Sequence, residues 1–251
     1  MFASIIPLII GNWKMNGLAK NLEQIEILNK AVGEIEQVKC KVVICPPTTL
    51  LRPACRAGGD NIAFGGQNCH ANVSGAHTGD ISAEMLADAG ATYVIVGHSE
   101  RRADCAETNE IVKAKAEAAF RANITPIICI GETETERKSG KALEIVLEQL
   151  ENSLPLDISN NEIIIAYEPV WAIGTGLVPS IADIDEMHTA LRNALNKRFG
   201  EQGANTAILY GGSMKASNAA EILEITDVNG GLVGGASLKA SDFLGIISAV
   251  K

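Results

Sequence analysis

The sequence predicts an α/β fold, a single (β/α)8 barrel of eight parallel strands surrounded by helices, and three observations carry that expectation. Eight short β-rich runs recur along the chain, segments of helical period separate them, and no linker rich in Pro, Ser or charge interrupts the 251 residues. A length near 250 residues suits either one large barrel or two small domains. The unbroken alternation favours one domain over residues 1–251.

The runs are Leu8 to Ile10, Val42 to Cys45, Ile62 to Phe64, Tyr93 to Val96, Ile127 to Ile130, Ile163 to Tyr167, Ala207 to Tyr210, and Leu232 to Val233. They are apolar at successive positions rather than at alternate ones, the mark of strands covered on both faces. Between them, Leu22, Ile25, Leu28 and Val32 form one helical stripe, and Leu143, Val146, Leu147 and Leu150 a second. A third comprises Ile184, His188, Leu191 and Leu195, opened by Pro179 and by Ser180, whose hydroxyl is placed to cap the helix with Asp183 in its first turn. His188 shares that apolar stripe and reads as a packed histidine rather than a ligand.

A doubly wound sheet is the competing architecture, but its fingerprint is missing. Gly174-Thr175-Gly176 has no third glycine at the right offset, and no β-run leads directly into it. Gly140-Lys141 fails as a P-loop, since Thr135 stands where the first glycine belongs and Ala142 where Ser or Thr should be.

Composition excludes several classes. With 47% apolar residues, 24 Gly and only 8 Pro, the chain is globular rather than disordered. A net charge of -9 and no basic cluster beyond Arg101-Arg102 argue against nucleic-acid or anionic-membrane partners. The six cysteines show no C-x-x-C spacing, so free buried thiols in the cytoplasm are expected rather than disulfides or zinc. The apolar stretch Phe2 to Ile10 lacks a basic leader and falls short of the roughly 20 residues a membrane span needs, so it reads as a strand. The connection from Gly65 to Ile81 is long and rich in turn formers, which suits a lid, a subunit contact or a mobile loop.

In a barrel of this kind, chemistry collects at the C-terminal ends of the strands. Asn12-Trp13-Lys14 follows the first run, Gly97-His98-Ser99-Glu100 the fourth, Glu168-Pro169 the sixth, Gly211-Gly212-Ser213 the seventh and Gly234-Gly235 the eighth. Gly174, Ser213, Gly234 and Gly235 are candidates to hold a phosphate with backbone N–H groups, although tight turns also need glycine for geometry alone. Lys14 supplies a charge suited to a phosphate or a developing oxyanion. His98 stands where a helix could begin; a helix N-terminus disfavours imidazolium, so a neutral donor able to polarise a carbonyl is expected, a structural histidine being the other reading. Glu168, fixed ahead of Pro169, is placed to take a proton. Pro169, Val170, Trp171, Ala172, Ile173, Gly174, Thr175, Gly176 and Leu177 form a segment too apolar for an idle surface loop and read as a lid. The set implies proton abstraction next to a carbonyl in a small phosphorylated substrate, with no metal or cofactor.

The motifs Asn12-Trp13-Lys14-Met15-Asn16, Gly97 to Arg102, Tyr167 to Gly176, Tyr210 to Ser213 and Gly231 to Ala236 stand in an order that resembles the triosephosphate isomerase family from end to end. The resemblance implies a TIM barrel that interconverts dihydroxyacetone phosphate and glyceraldehyde 3-phosphate through an enediol(ate), in glycolysis and gluconeogenesis. Glu168 would be the base, His98 the carbonyl-polarising proton shuttle, and Lys14 with Asn12 the groups that stabilise charge. Glu100 and Cys129 match positions behind the catalytic rim, and Tyr210 the residue that helps hold the closed lid. The resemblance also implies a homodimer in which the long loop, through Gln67, Gly75 and Thr78, reaches the neighbouring subunit. Three local departures stand out: His77 for a common aromatic, Asp80 for a common Glu, and Leu177 for a common Lys. The shorter Asp80 is expected to weaken the cross-subunit pairing with Arg101. Another phosphate-binding barrel isomerase, or an inactive barrel used as a binding protein, are the rival readings; intact Lys14, His98 and Glu168 argue against the latter.

Overall fold

The computed structural model describes residues 5–174 and 177–251. Eight strands follow in order: β1 (Leu8–Asn12), β2 (Lys41–Cys45), β3 (Ala63–Gly66), β4 (Tyr93–Val96), β5 (Thr125–Ile130), β6 (Ile164–Tyr167), β7 (Ala207–Tyr210) and β8 (Gly230–Val233). Each pairs in parallel with the next, and β8 returns to β1 through a register running from Leu8 opposite Gly230 to Gly11 opposite Val233, which closes the barrel. That seam needs a glycine: Gly230 has φ +138°, and a Cβ there would collide with the Leu8 carbonyl.

The uninterrupted apolar runs divide by parity into two cores. Leu8, Ile10, Val43, Ile95, Ile127, Cys129, Ile164, Ala166 and Leu209 fill the barrel interior. Their neighbours Ile9, Ile44, Val94, Val96, Ile128, Ile165 and Ile208 face outward, under the helices. Strand residues therefore find apolar surroundings on either side, the physical reason for runs without alternation.

The helical stripes pack as expected, with refinements. Ile25, Leu28 and Val32 are buried on the helix Leu22–Gly33. On Ala142–Ser153, Val146 and Leu150 are buried while Leu143 and Leu147 flank the contact. The helix Ile181–Phe199 opens on a reciprocal cap: Ser180 Oγ accepts from the Asp183 N–H (3.2 Å) and the Asp183 carboxylate accepts from the Ser180 N–H (3.1 Å). His188 is fully buried there, with Nδ1 3.0 Å from the Asp227 carbonyl and its ring edge-on to Tyr167. One turn on, the buried Arg192 guanidinium donates to the Gly203 and Thr206 carbonyls and to Asp227 and Asn229 side chains, tying the helix to the start of β7 and β8.

Strand ends moved where weak strand formers sit. β3 runs on through Gly65 and Gly66, paired with Tyr93 and Val94, so the long connection begins at Gln67. β1 extends to Asn12, opposite Cys45, and β8 begins at Gly230. All six cysteines are free; four are buried as expected, but Cys55 is only half-buried, at the margin of the core, and Cys105 is exposed just past the end of the helix Ser99–Asp104, which buries none of its residues. Among the described residues no helix is long and apolar enough to cross a membrane.

Candidate active site

Parity along the strands decides which side chains reach the mouth. Leu8 and Ile10 of β1, and Ile164 and Ala166 of β6, point inward, so the next positions of the same parity, Asn12 and Glu168, emerge at the C-terminal rim on the barrel axis side. Both are buried, Glu168 to 1% exposure. A cavity of about 320 Å³ opens above them, lined by Asn12, Lys14, His98, Glu168, Ser213 and Gly234 among others.

Lys14 has φ +52°, a left-handed conformation that costs a non-glycine residue about 1–2 kcal/mol. Two contacts hold it there. Its N–H donates to Asn12 Oδ1 (3.0 Å), and its carbonyl accepts from Gln67 Nε2 (2.9 Å). The same Gln67 amide donates to the Cys45 carbonyl (2.8 Å), which locks it against β2. The Lys14 ammonium meets Glu100 Oε1 at 2.6 Å; because Glu100 is half exposed, this contact orients more than it stabilises.

His98 caps the six-residue helix Ser99–Asp104, and its Nδ1 accepts from the Glu100 N–H (3.2 Å). The neutral ring therefore carries its proton on Nε2, which lies 2.8 Å from Glu168 Oε1. The other Glu168 oxygen accepts from the Ser99 N–H (2.9 Å). Burial draws the His98 pKa down, but the carboxylates of Glu168 and Glu100 outweigh it and hold the ring above the ordinary histidine value. The direction is opposite to the lowering that the helix N-terminus alone would give. One backbone N–H on a short helix is a weaker influence than a carboxylate in hydrogen-bond contact.

At the opposite wall, the glycines separate into two kinds. A Cβ on Gly212 would run into the Tyr210 hydroxyl, and one on Gly211 would come within 2.9 Å of the Tyr167 carbonyl, so these two satisfy packing. Among the described residues, a Cβ on Gly174 or Gly235 would meet nothing within 4 Å. Both line the cavity, where uncrowded glycine backbone suits the close approach of an anion. Ser213 Oγ donates to the Ala172 carbonyl (2.8 Å), so the hydroxyl braces the lid and its backbone N–H remains for an anion.

The lid segment begins as a single 3-10 turn, Val170–Ala172. Trp171 Nε1–H donates to Glu132 Oε1 (2.9 Å), and the Tyr167 hydroxyl donates to the same oxygen (3.1 Å). Glu132 is fully buried, and that burial raises its carboxyl above the ordinary range despite the donors around it. Gly174 and Leu177 are exposed; Thr175 and Gly176 lie outside the described residues. The Tyr210 hydroxyl is buried and has no hydrogen-bond partner among the described residues.

Cys129 lies inside the barrel with its thiol pushed well up by burial, and its carbonyl accepts from Arg102 Nη2 (3.1 Å). Gln67 is half-buried against Lys14 of its own chain, whereas Gly75 and Thr78 are exposed farther along the connection and line no part of the cavity. Two contributors escaped the sequence reading, Gln67 as a strut for Lys14 and Glu132 as the seat of Trp171. Gly131-Glu132 follows β5 just as Gly97-His98 follows β4, and that equivalence was the available signal.

A carboxylate and an imidazole in contact, an ammonium across the cavity and bare N–H groups beyond them suit proton transfer beside a carbonyl in a small anionic substrate. The chain thus falls among the phosphate-binding (β/α)8-barrel isomerases. Residues 7–250 match the family model described as triosephosphate isomerase. The chain is 56% identical over 250 residues to the triosephosphate isomerase of Afipia carboxidovorans, covering 99% of each, and 53% identical to that of Rhodopseudomonas palustris, covering 98% of each. The crystal structure of triosephosphate isomerase from Bartonella henselae superposes with a TM-score of 0.89 at 47% identity, covering 98% of this chain and 99% of that one. The chain belongs to the triosephosphate isomerase family, and its reaction is that family's: the interconversion of dihydroxyacetone phosphate and glyceraldehyde 3-phosphate, a step of glycolysis and gluconeogenesis.

Proposed function

We propose that Glu168, His98 and Lys14 carry this interconversion, with Asn12 and the backbone of Gly174, Ser213, Gly234 and Gly235 holding the substrate. The single observation behind this reading is the Glu168–His98 contact of 2.8 Å at the edge of a cavity that Lys14 also lines. Glu168 removes the carbon-bound proton, and Lys14 with Asn12 stabilises the charge that gathers on oxygen. As Glu168 turns to the substrate, His98 loses its contact with that carboxylate while the Glu100 N–H stays on Nδ1. The ring is then a neutral Nε2–H donor, able to polarise the carbonyl and pass protons between the two oxygens. An exposed enediolate expels phosphate, so closing residues 169 to 177 excludes water and fixes the phosphate against elimination. The step needs no metal or cofactor. In D2O the wild type should incorporate deuterium at the substrate carbon during turnover; Glu168→Gln should lose both turnover and incorporation while still binding a phosphate-bearing inhibitor. Near-normal incorporation in that variant would dismiss Glu168 as the base.

We infer further that the protein is a cytoplasmic homodimer of one-domain subunits, without nucleic-acid or membrane partners. A second cavity of about 330 Å³, lined by Lys14, Thr48, Gln67, Asp80 and Arg101, adjoins the first and suits the tip of a neighbour's loop around Gly75 and Thr78. Met15 is 97% exposed and Val73 and Met85 about half, an apolar surface that a second copy would cover. Arg101 Nε is already anchored by Glu107 (2.5 Å), itself shared with Lys115 (2.6 Å), which leaves the shorter Asp80 a weaker claim on it. The net charge of -9 supports the absence of polyanionic partners. Sedimentation equilibrium should return twice the chain mass at micromolar concentration; a single-chain mass there would overturn the dimer.

A further inference from the structure

We propose that Arg137 is a positioning residue of the lid, a latch that holds the lid in the resting position seen here and so sets how readily the enzyme closes on its substrate. The inference rests on the reading of residues 169 to 177 as a closing lid, and its test separates the two.

Arg137 belongs to the five-residue helix Glu134–Lys138, which follows β5 and opens on a reciprocal cap. The Thr133 N–H donates to the Glu136 carboxylate (2.7 Å), and Thr133 Oγ1 accepts from the Glu136 N–H (3.3 Å). From that anchor the guanidinium reaches three groups. Its Nη1 lies 3.6 Å from Glu132 Oε1, the oxygen that already accepts from Trp171 Nε1–H and from the Tyr167 hydroxyl. Its central carbon stands 5.7 Å from the centre of the Trp171 ring, within cation–π range. Its Nη2 pairs with Asp183 Oδ1. The other Asp183 oxygen accepts from the Ser180 N–H (3.1 Å) and hydroxyl (2.7 Å), so this arm ends on the cap of the helix Ile181–Phe199, just past the lid. One side chain thus touches the seat of the lid's first turn, the indole of that turn, and the cap beyond the lid's last residue.

These contacts favour the resting position over the closed one. Glu132 is fully buried, its Oε2 has no hydrogen-bond partner among the described residues, and Arg137 is the cation paired with it there. Burial opposes the ionised carboxylate and the guanidinium favours it. An ionised acceptor grips the Trp171 N–H more strongly than a neutral carboxyl does. A lid that closes carries Trp171 away from Glu132 and from the face of the guanidinium, so both attractions are lost on closure. The Asp183 arm keeps the guanidinium from following the indole. A group that stabilises one of two states shifts the balance by that difference alone. Lysine, a point charge without a planar fork, cannot pair with Glu132, cover the indole and reach Asp183 together.

The test titrates the full chain, Arg137→Met and Arg137→Lys with glycerol 3-phosphate, a substrate-shaped phosphate ester without a carbonyl, and follows tryptophan fluorescence. Wild type should show a change that Trp171→Phe lacks, which assigns the signal to the lid. Arg137→Met should bind the ester about 3- to 10-fold tighter and lower KM in the same direction, with circular dichroism that of the wild type. Arg137→Lys should fall between the two. A merely structural loss would loosen the site and raise both Kd and KM, the opposite sign. Binding by Arg137→Met no tighter than wild type, with the wild-type fluorescence change intact, would overturn the latch and leave the lid standing. Should Arg137→Met fail to fold, Arg137→Lys decides by the same criterion. No Trp171 signal in wild type at saturating ester would refute the lid reading, and the latch with it.

Discussion

Replacing Gln67 by Ala should disable Lys14 without touching it. The Gln67 amide donates to two carbonyls, that of Lys14 (2.9 Å) and that of Cys45 (2.8 Å). At about 1 kcal/mol per hydrogen bond, the variant should lose roughly 2 kcal/mol of unfolding free energy. The kinetic effect has a separate origin. Lys14 is held at φ +52° against a preference of about 1–2 kcal/mol for right-handed or extended backbone. With one of its two braces gone, that preference should draw the residue out of its working conformation, lowering kcat/KM by about 5- to 30-fold. Urea unfolding gives the first number and a coupled assay on glyceraldehyde 3-phosphate the second. A variant that loses the stability but keeps kcat/KM within twofold of wild type would show that Lys14 does not depend on this strut, and the account of its conformation would fail.

Other predictions follow from the same geometry. Glu168→Asp withdraws the carboxylate by about one methylene and should cost kcat some 10²- to 10⁴-fold with KM little changed; a near-normal kcat would acquit Glu168. Lys14→Met should weaken binding of a phosphate-bearing inhibitor as well as turnover, and unaltered inhibitor affinity would remove its electrostatic role. His188, with its pKa depressed by burial to about 4, should make stability pH-dependent on the acid side. The folded state holds the ring neutral while the unfolded chain takes up a proton near pH 6.5, so stability is full above that value and falls as pH drops toward about 4, by roughly 3 kcal/mol in all. His188→Phe, which keeps an aromatic ring against Tyr167, should flatten that slope in urea midpoints taken between pH 4 and 7; an unchanged slope would assign it to other groups.

The order of strands and helices, and the placing of Asn12, Lys14, His98 and Glu168 on one rim, were legible in the sequence because they depend on local pattern. A strand buried on both faces must be apolar at consecutive positions, and parity then carries Asn12 and Glu168 out of the interior onto the mouth. The limits of strands were less legible: Gly65 and Gly66 are poor strand formers, and only pairing with Tyr93 and Val94 keeps them in β3. The helix alone suggested a lowered pKa for His98, while the carboxylate that raises it is that of Glu168, 70 residues away in number and 2.8 Å away in space. The same holds for the Gln67 strut, 53 residues from Lys14, and for Trp171 on Glu132, 39 residues apart. Periodicity records which face of an element is buried. Which distant side chain stands within 3 Å of another depends on how the closed barrel brings its loops together, and that is decided by tertiary packing.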